Sequence, residues 1–304
     1  MNLSVNIAGI EWKAPVAVAA GIVNSGKEYG MYTDLNAIGA ITTKGVSTKE
    51  WLGDPVPRLS ETYGGMLSSI GVHNLGVQGF IKNDMAYLTK LDTNVIVNIV
   101  GHNIEEYVTV AEVLADQETV KMLELSLVPL NPKPDGFYPN FSKDTKTTEK
   151  LISQVKKVTN KPITVKLSPN NISGMVDIAK AAEYAGASAL SMINVVPGTR
   201  IEILKRKPGV GNKMGGVSGP AMRPIGVGCV YQCAKAVKIP IIGMGGITTA
   251  EDALEYIMAG ATAVACGTAH FTNPKVTTDV IQGIKDYMNQ NKVGDIKELI
   301  GVAL

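Results

Sequence analysis

Two lysines stand near the ends of apolar runs in this 304-residue chain, Lys44 in AIGAITTKG and Lys166 in ITVKLS. A lone lysine in a strand is usually solvated. Two that converge on one pocket would present cations to an electron-rich ring or to a phosphate. Asn98 in NVIVNIVG and Asn194 in ALSMINV stand at similar places. A buried amide needs a hydrogen-bond partner, which a turn or a bound heterocycle would supply. Glycine is the third element. Residues 240–271 read PIIGMGGITTAEDALEYIMAGATAVACGTAHF, with Gly245-Gly246 after one short apolar run and Gly267-Thr268 after the next. Such turns let a backbone approach a ligand closely, and N–H groups at turns and helix starts favour anions. The stretch reads as a phosphate cradle. Thr248 or Thr249 can cap the helix Ala250–Ala259, with Glu251 and Asp252 in its first turn.

Other motifs carry less. Gly209 to Gly215 has the spacing GxGxxxG with no strand immediately before it, so it reads as a lid or ligand-covering loop and not as a dinucleotide site. No Walker A sequence is present. His73, His102 and His270 are scattered and read as surface or helix-cap residues, so no metal is expected. Cys229 and Cys233 lie four apart on an expected helix and read as small buried apolar residues rather than a metal or redox pair.

The elements that must position these residues alternate. A hairpin, Leu3–Ile7 with Glu11–Trp12, comes first. Strands follow over Pro15–Gly21, Ala37–Gly45, Asn94–Gly101, Met122–Val128, Ile163–Ser168, Ala189–Val195, Pro240–Gly243 and Ala263–Cys266. Helices are expected over Lys27–Leu35, within Val77–Leu88, and over Ile104–Asp116, Thr145–Val158, Ile172–Ala185, Ile225–Val237, Ala250–Ala259 and Val276–Asn289, with a tail helix at the end. Val46–Val72 and Val196–Gly219 are long for connections and predict functional loops over one end. Eightfold alternation with short apolar strands predicts a parallel sheet buried on both faces. A doubly wound sheet is the alternative. Phosphate turns after strands seven and eight favour a single (β/α)₈ TIM barrel spanning residues 1–304, with an N-terminal hairpin and long βα-loop insertions.

Composition narrows the partners. With 29 basic and 27 acidic residues the net charge is +2, and no Lys/Arg cluster carries interleaved aromatics, so nucleic acid is not an expected partner. No apolar run reaches membrane-spanning length. Asn6, Glu11, Trp12 and Lys13 interrupt the first apolar run, so no signal peptide is expected. Three cysteines point to a reducing, cytoplasmic compartment.

Nine segments, taken together and in order, carry a family resemblance: ITTKGVS, PVPR at Pro55–Arg58, GMLSSIG, NIVG, VKLSPN, SMIN, GGVSGPA, PIIGMGG and AVACGTA. Over nearly its whole length the chain resembles dihydroorotate dehydrogenases of the soluble, FMN-containing type. The resemblance implies FMN at the C-terminal strand ends. Ala20, Gly21, Lys44, Asn98, Lys166 and Gly219 would contact it, and Gly245, Gly246, Gly267 and Thr268 would hold its phosphate. A cation near the flavin ring would stabilise the reduced, anionic form. The resemblance also implies a homodimer and, as redox partner, a subunit carrying FAD and an iron–sulfur cluster.

The family removes a proton and a hydride from adjacent carbons of dihydroorotate. Its soluble members use a cysteine base in a loop after the fourth strand, within Asn-x-Ser-Cys-Pro-Asn. Anchored on Glu124-Leu125, this chain has Pro129 at that cysteine, and residues 122–144 contain none. Ser68, Ser126 and Val195 replace residues that hydrogen-bond the pyrimidine, while Asn194 and Asn131 remain. Lys44 is shared by the catalytic, cofactor and substrate sets. Ser126, Tyr138 and Ser142 are the acid–base candidates, with Asp135 and Asp144 behind them. These departures predict an FMN-dependent oxidoreductase exchanging hydride between flavin N5 and a C–C bond of a small polar or conjugated substrate other than dihydroorotate. The alternatives are a genuine dihydroorotate dehydrogenase with an unusual base, a flavoprotein without turnover, and a flavin-free barrel that binds a phosphorylated metabolite.

Overall fold

The computed structural model describes residues 1–128, 140–142 and 144–304. Eight parallel strands close into a barrel: β1 Val16–Val18, β2 Ala40–Thr42, β3 Asn94–Ile99, β4 Val120–Ser126, β5 Ile163–Leu167, β6 Ala189–Met192, β7 Ile241–Met244 and β8 Ala263–Cys266. Each pairs with its sequence neighbours, and β8 pairs with β1. β1, β2 and β5 to β8 are buried at every residue. That burial is why they read as unbroken apolar runs without the alternation of a half-exposed sheet.

The outer ring comprises α1 Gly76–Asn83, α2 Met85–Leu88, α3 Ile104–Ala115, α4 Thr145–Lys156, α5 Met175–Tyr184, α6 Arg223–Ala234, α7 Ala250–Met258 and α8 Val276–Gln290. The connection after β1 holds only the 3₁₀ turn Tyr29–Met31, where a full helix was expected. Gly30 and the β-branched Thr33 weaken helix propagation there. The expected tail helix is likewise one 3₁₀ turn, Ile296–Leu299. The N-terminal hairpin, Val5–Ile7 with Ile10–Trp12, closes the opposite end of the barrel. Its fully buried Trp12 lies over Gly39, just before β2, where a Cβ would come within 2.8 Å of the indole.

The two long insertions form one sheet. Leu59–Thr62 and Gly65–Ser68 come from the β2–α1 connection, Val196–Gly198 and Gly215–Ser218 from the β6–α6 connection. They pair antiparallel in the order Val196–Gly198, Gly215–Ser218, Gly65–Ser68, Leu59–Thr62, with Ser68 opposite Gly216 and Met66 opposite Ser218. Close backbone approach explains a glycine here: a Cβ on Gly215 would stand 2.6 Å from the Ser68 carbonyl oxygen. This lid stands over the C-terminal ends of the barrel strands.

Candidate active site

A cavity of about 610 Å³ lies between the lid and the strand ends. That is within the roughly 300–1,000 Å³ typical of small-molecule sites. Ala20 and Gly21 line it from beyond β1, Lys166 from β5, and Asn194 with Val195 from beyond β6. Gly219, Gly245, Gly246, Gly267 and Thr268 form its far side. A smaller cavity of about 140 Å³ adjoins it, lined by Lys44, His73, Asn98 and Ser126. Ala20, Gly21, Ser68, Lys166 and Asn194 border both.

The glycine side is built for close approach. Gly219, Gly245 and Gly246 have φ of 112°, 124° and 74°, which L side chains rarely adopt. A Cβ on Gly246 would lie 2.7 Å from the Arg223 backbone nitrogen at the start of α6. Thr249 and Asp252 form the capping box of α7. The Asp252 carboxylate also accepts hydrogen bonds from the Thr248 backbone nitrogen (2.8 Å) and hydroxyl (2.7 Å) and pairs with Arg223, tying the turn after β7 to α6. Burial works against the charged Asp252 carboxylate, but the Thr248, Arg223 and Thr249 donors outweigh it and hold its pKa below the ordinary value. Gly21 and Gly267 do something different. A Cβ on Gly21 would meet nothing within 4 Å, and one on Gly267 would meet only Ala19 at 3.8 Å and Ile22 at 4.0 Å. Both glycines therefore leave open the space a ligand needs.

Below the cavities a charged network crosses the barrel. Glu124 on β4 is 2% exposed. Its Oε1 accepts a 2.7 Å hydrogen bond from Asn98 Nδ2, and its Oε2 accepts one of 2.6 Å from Ser191 Oγ. Lys166 Nζ lies 3.9 Å from Oε1. Barrel register produces this grouping, since Asn98 is level with Glu124, and Lys166 with both Ser126 and Ser191. A charge buried this deeply must be paired or hydrogen-bonded. Glu124 thus orients Asn98 and Lys166 from beneath. In the sequence Glu124 served only as the anchor for the register of the loop after β4 and received no place in the site, yet a carboxylate inside an apolar run is itself a signal.

The acid–base candidates separate. Ser126 borders the smaller cavity, with its hydroxyl 3.3 Å from the Val128 carbonyl. Ser142 lines neither cavity, and its hydroxyl donates to Asn140 Oδ1 at 2.8 Å. Nearness in sequence to the β4 loop did not place it at the mouth. Asp144 caps α4, accepting from the Thr147 backbone nitrogen at 2.7 Å. Pro129, Asn131, Asp135 and Tyr138 lie outside the described residues. Asn194 donates to the Val128 carbonyl at 3.3 Å, and its Oδ1 accepts from the Val195 backbone nitrogen at 3.0 Å. His73, read from sequence as a surface residue, borders the smaller cavity.

None of the three cysteines lines either cavity. Burial raises Cys229 to about 11 and Cys233 and Cys266 to about 12, which leaves no thiolate for chemistry. Among the described residues no group of three or more His, Cys, Asp or Glu could hold a metal ion. No described helix is long and apolar enough to cross a membrane.

A glycine-walled cavity, joined to a smaller one bordered by Lys44, Asn98 and Ser126, lies at the C-terminal mouth of the closed barrel, where the family resemblance places a cofactor. The family model described as dihydroorotate dehydrogenase matches residues 2–288. The chain belongs to the dihydroorotate dehydrogenase family. It is an oxidoreductase of the class acting on CH–CH bonds. The chain is 52% identical over 301 residues to the catalytic subunit of dihydroorotate dehydrogenase B (NAD(+)) from Lachnoclostridium phytofermentans, covering 99% of each chain. It is 50% identical to the same-named subunit of Alkaliphilus metalliredigens, covering 99% of this chain and 98% of that protein. Among solved structures, an Eimeria tenella dihydroorotate dehydrogenase in complex with ferulenol superposes with a TM-score of 0.81 at 21% identity. The match covers 99% of this chain and 88% of that one and supports the barrel fold. The relatives' names favour dihydroorotate over the other substrate that Ser68, Ser126 and Val195 led us to expect.

Proposed function

We propose that this chain is the FMN-containing catalytic subunit of a dihydroorotate dehydrogenase, converting dihydroorotate to orotate. Identity of 52% and 50% over nearly full length to proteins of that name supports the substrate. Their designation as catalytic subunits supports a separate electron-transfer partner, for which we propose an FAD and iron–sulfur protein. The observation that carries the reading is Lys166, the one cation among the described residues that borders both the glycine-walled cavity and the smaller one beside it.

The residues present fit FMN. Gly219, Gly245, Gly246, Gly267 and Thr268 would hold the phosphate. The open faces of Gly21 and Gly267 leave room for the cofactor, and Ala20, Gly21, Lys44, Asn98 and Lys166 would meet its ring. When bound, FMN supplies the two-electron acceptor. Lys166, anchored by Glu124, places a positive charge where the reduced ring would gather negative charge. Lys44, Ser68, Ser126 and Asn194 would hydrogen-bond the substrate's carboxylate and ring amides. The lid sheet excludes water above them. Asn131 completes this set in the reading from sequence.

Val195 favours a second reading, oxidation or reduction of a different small conjugated compound. It borders the larger cavity with an apolar side chain where the family places a hydroxyl. Anaerobic mixing with dihydroorotate decides between the two. Rapid bleaching of the bound flavin supports the first, and a flavin reduced only by other substrates supports the second.

A further inference from the structure

We propose that His73 is the acid–base residue of this site, taking the place the family gives to a cysteine. The inference rests on the function proposed above and deepens it. His73 borders the smaller cavity together with Lys44, Ser68, Asn98 and Asn194. Among the described residues bordering that cavity, the side chains with a basic nitrogen are Lys44, His73 and Lys166, and histidine is the residue type most used for general acid–base work. A protonated lysine has no lone pair to offer, whereas a neutral imidazole has one on its ring nitrogen, so among these described residues His73 is the one built to accept a proton.

Three further observations agree. His73 makes no hydrogen bond among the described residues, whereas the other two imidazoles are engaged: His102 Nδ1 faces Glu106 at 3.1 Å and His270 Nδ1 faces the Gly267 carbonyl at 2.9 Å. The residue before it, Val72, has φ of 54°, an uncommon conformation for a β-branched side chain and one that clusters at functional sites. The backbone is anchored on both sides of the site: the Asn74 side chain accepts from Ser47 Oγ at 2.9 Å, and Ser69 donates to Asp54 at 2.6 Å. His73 is also exposed, so a proton taken from substrate has a route to water.

Among the described residues, the charged groups around it are Lys44 and Lys166 in the cavity, Arg58 across Gly53, and Asp54 against Gly71. A Cβ on Gly53 would stand 2.9 Å from His73 Cβ and 3.1 Å from Arg58 Nη2. In the oxidation, an imidazole nitrogen of His73 forms a bond to the proton of one ring carbon as that C–H bond breaks. The released electron pair becomes the new C=C bond as the neighbouring carbon gives up a hydride, which FMN, when bound, would accept. The imidazolium then returns its proton to solvent.

The test uses FMN-loaded protein, its variants His73→Gln and His73→Asn, and two readouts. The rate of flavin reduction by dihydroorotate is measured anaerobically from pH 5 to 9, with flavin content as the check on folding. The imidazole proton resonances of the wild type are titrated with and without orotate. We expect both variants to bind FMN and to reduce it about 10²–10³-fold more slowly, without the wild type's loss of rate on the acid side. One imidazole resonance, neither that of the buried His270 nor that of His102, should shift in pKa when orotate binds. Variants within threefold of wild type and with its pH profile, or imidazoles indifferent to orotate, would overturn the assignment while leaving the proposed function standing. A wild type that dihydroorotate leaves oxidised overturns the proposed function and this assignment with it.

Discussion

Asn98 on β3 and Glu124 on β4 stand level in the barrel and are joined by a 2.7 Å hydrogen bond, with Lys166 Nζ 3.9 Å from the same carboxylate oxygen. The carboxylate is beneath the site and borders neither cavity. Its effect on chemistry runs through the two residues it holds. Replacing one partner of a buried charged pair typically costs about 3–5 kcal/mol, because the remaining charge is left uncompensated. Glu124→Gln should therefore lower unfolding free energy by about 3 kcal/mol, measured by urea denaturation of the flavin-free protein. A loss under about 1 kcal/mol would mean that Asn98 and Ser191 hold Lys166 without it.

Lys166→Met removes a cation that borders both cavities. The reduced flavin should lose stabilisation, and the midpoint potential should fall by about 30 mV or more, equivalent to ~1.4 kcal/mol for a two-electron couple. Dye-equilibrated anaerobic titration reads this directly. An unchanged potential would remove Lys166 from the cofactor site.

Gly267→Val tests the open side of the cradle. A Cβ there meets only Ala19 and Ile22, at 3.8 and 4.0 Å, so the flavin-free protein has room for a side chain. FMN does not: we expect its affinity to fall at least about tenfold, ~1.4 kcal/mol, with thermal stability of the flavin-free form little changed. Equal FMN binding by variant and wild type would move the phosphate elsewhere.

The barrel was legible in the sequence because its strands are buried on both faces and stand out as apolar runs between glycine turns. The cap of α7 was legible because Thr249 and Asp252 have the spacing of a capping box. The lid sheet was not. GMLS and GGVS are short and glycine-rich, and they become strands only by pairing across about 150 residues of sequence. The same limit hid His73, whose place beside Lys44 and Asn98 depends on how the β2–α1 insertion folds back. It also misplaced Ser142, near the β4 loop in sequence and turned to Asn140 in space.

The lid gives a further prediction. A Cβ on Gly216 would overlap a γ-methyl of Val195 and lie 2.9 Å from its Cβ. Gly216→Ala should push Val195 from its position beside the larger cavity. Overpacking of this kind costs about 1–3 kcal/mol. We expect orotate binding to weaken by about tenfold with flavin content unchanged, measured by perturbation of the flavin spectrum.

His270 predicts an acid-labile element near the cradle. It is 1% exposed, Nε2 has no partner among the described residues, and burial lowers its pKa, only partly offset by the Gly267 carbonyl. An unfolded histidine titrates near 6.5. Between that value and the lower folded one, the unfolded chain binds more protons, so stability is present above about pH 6.5 and is lost as pH falls. His270→Phe should flatten the slope of unfolding free energy against pH between 6.5 and 5. A slope identical to wild type would assign the acid sensitivity to other groups.

The most direct test of the central claim is anaerobic mixing of the FMN-loaded wild-type chain, without any partner subunit, with dihydroorotate. The account predicts loss of the oxidised flavin's visible absorbance and release of orotate in amounts equal to the flavin reduced. A flavin that stays oxidised, or a protein that fails to take up FMN at all, would contradict it.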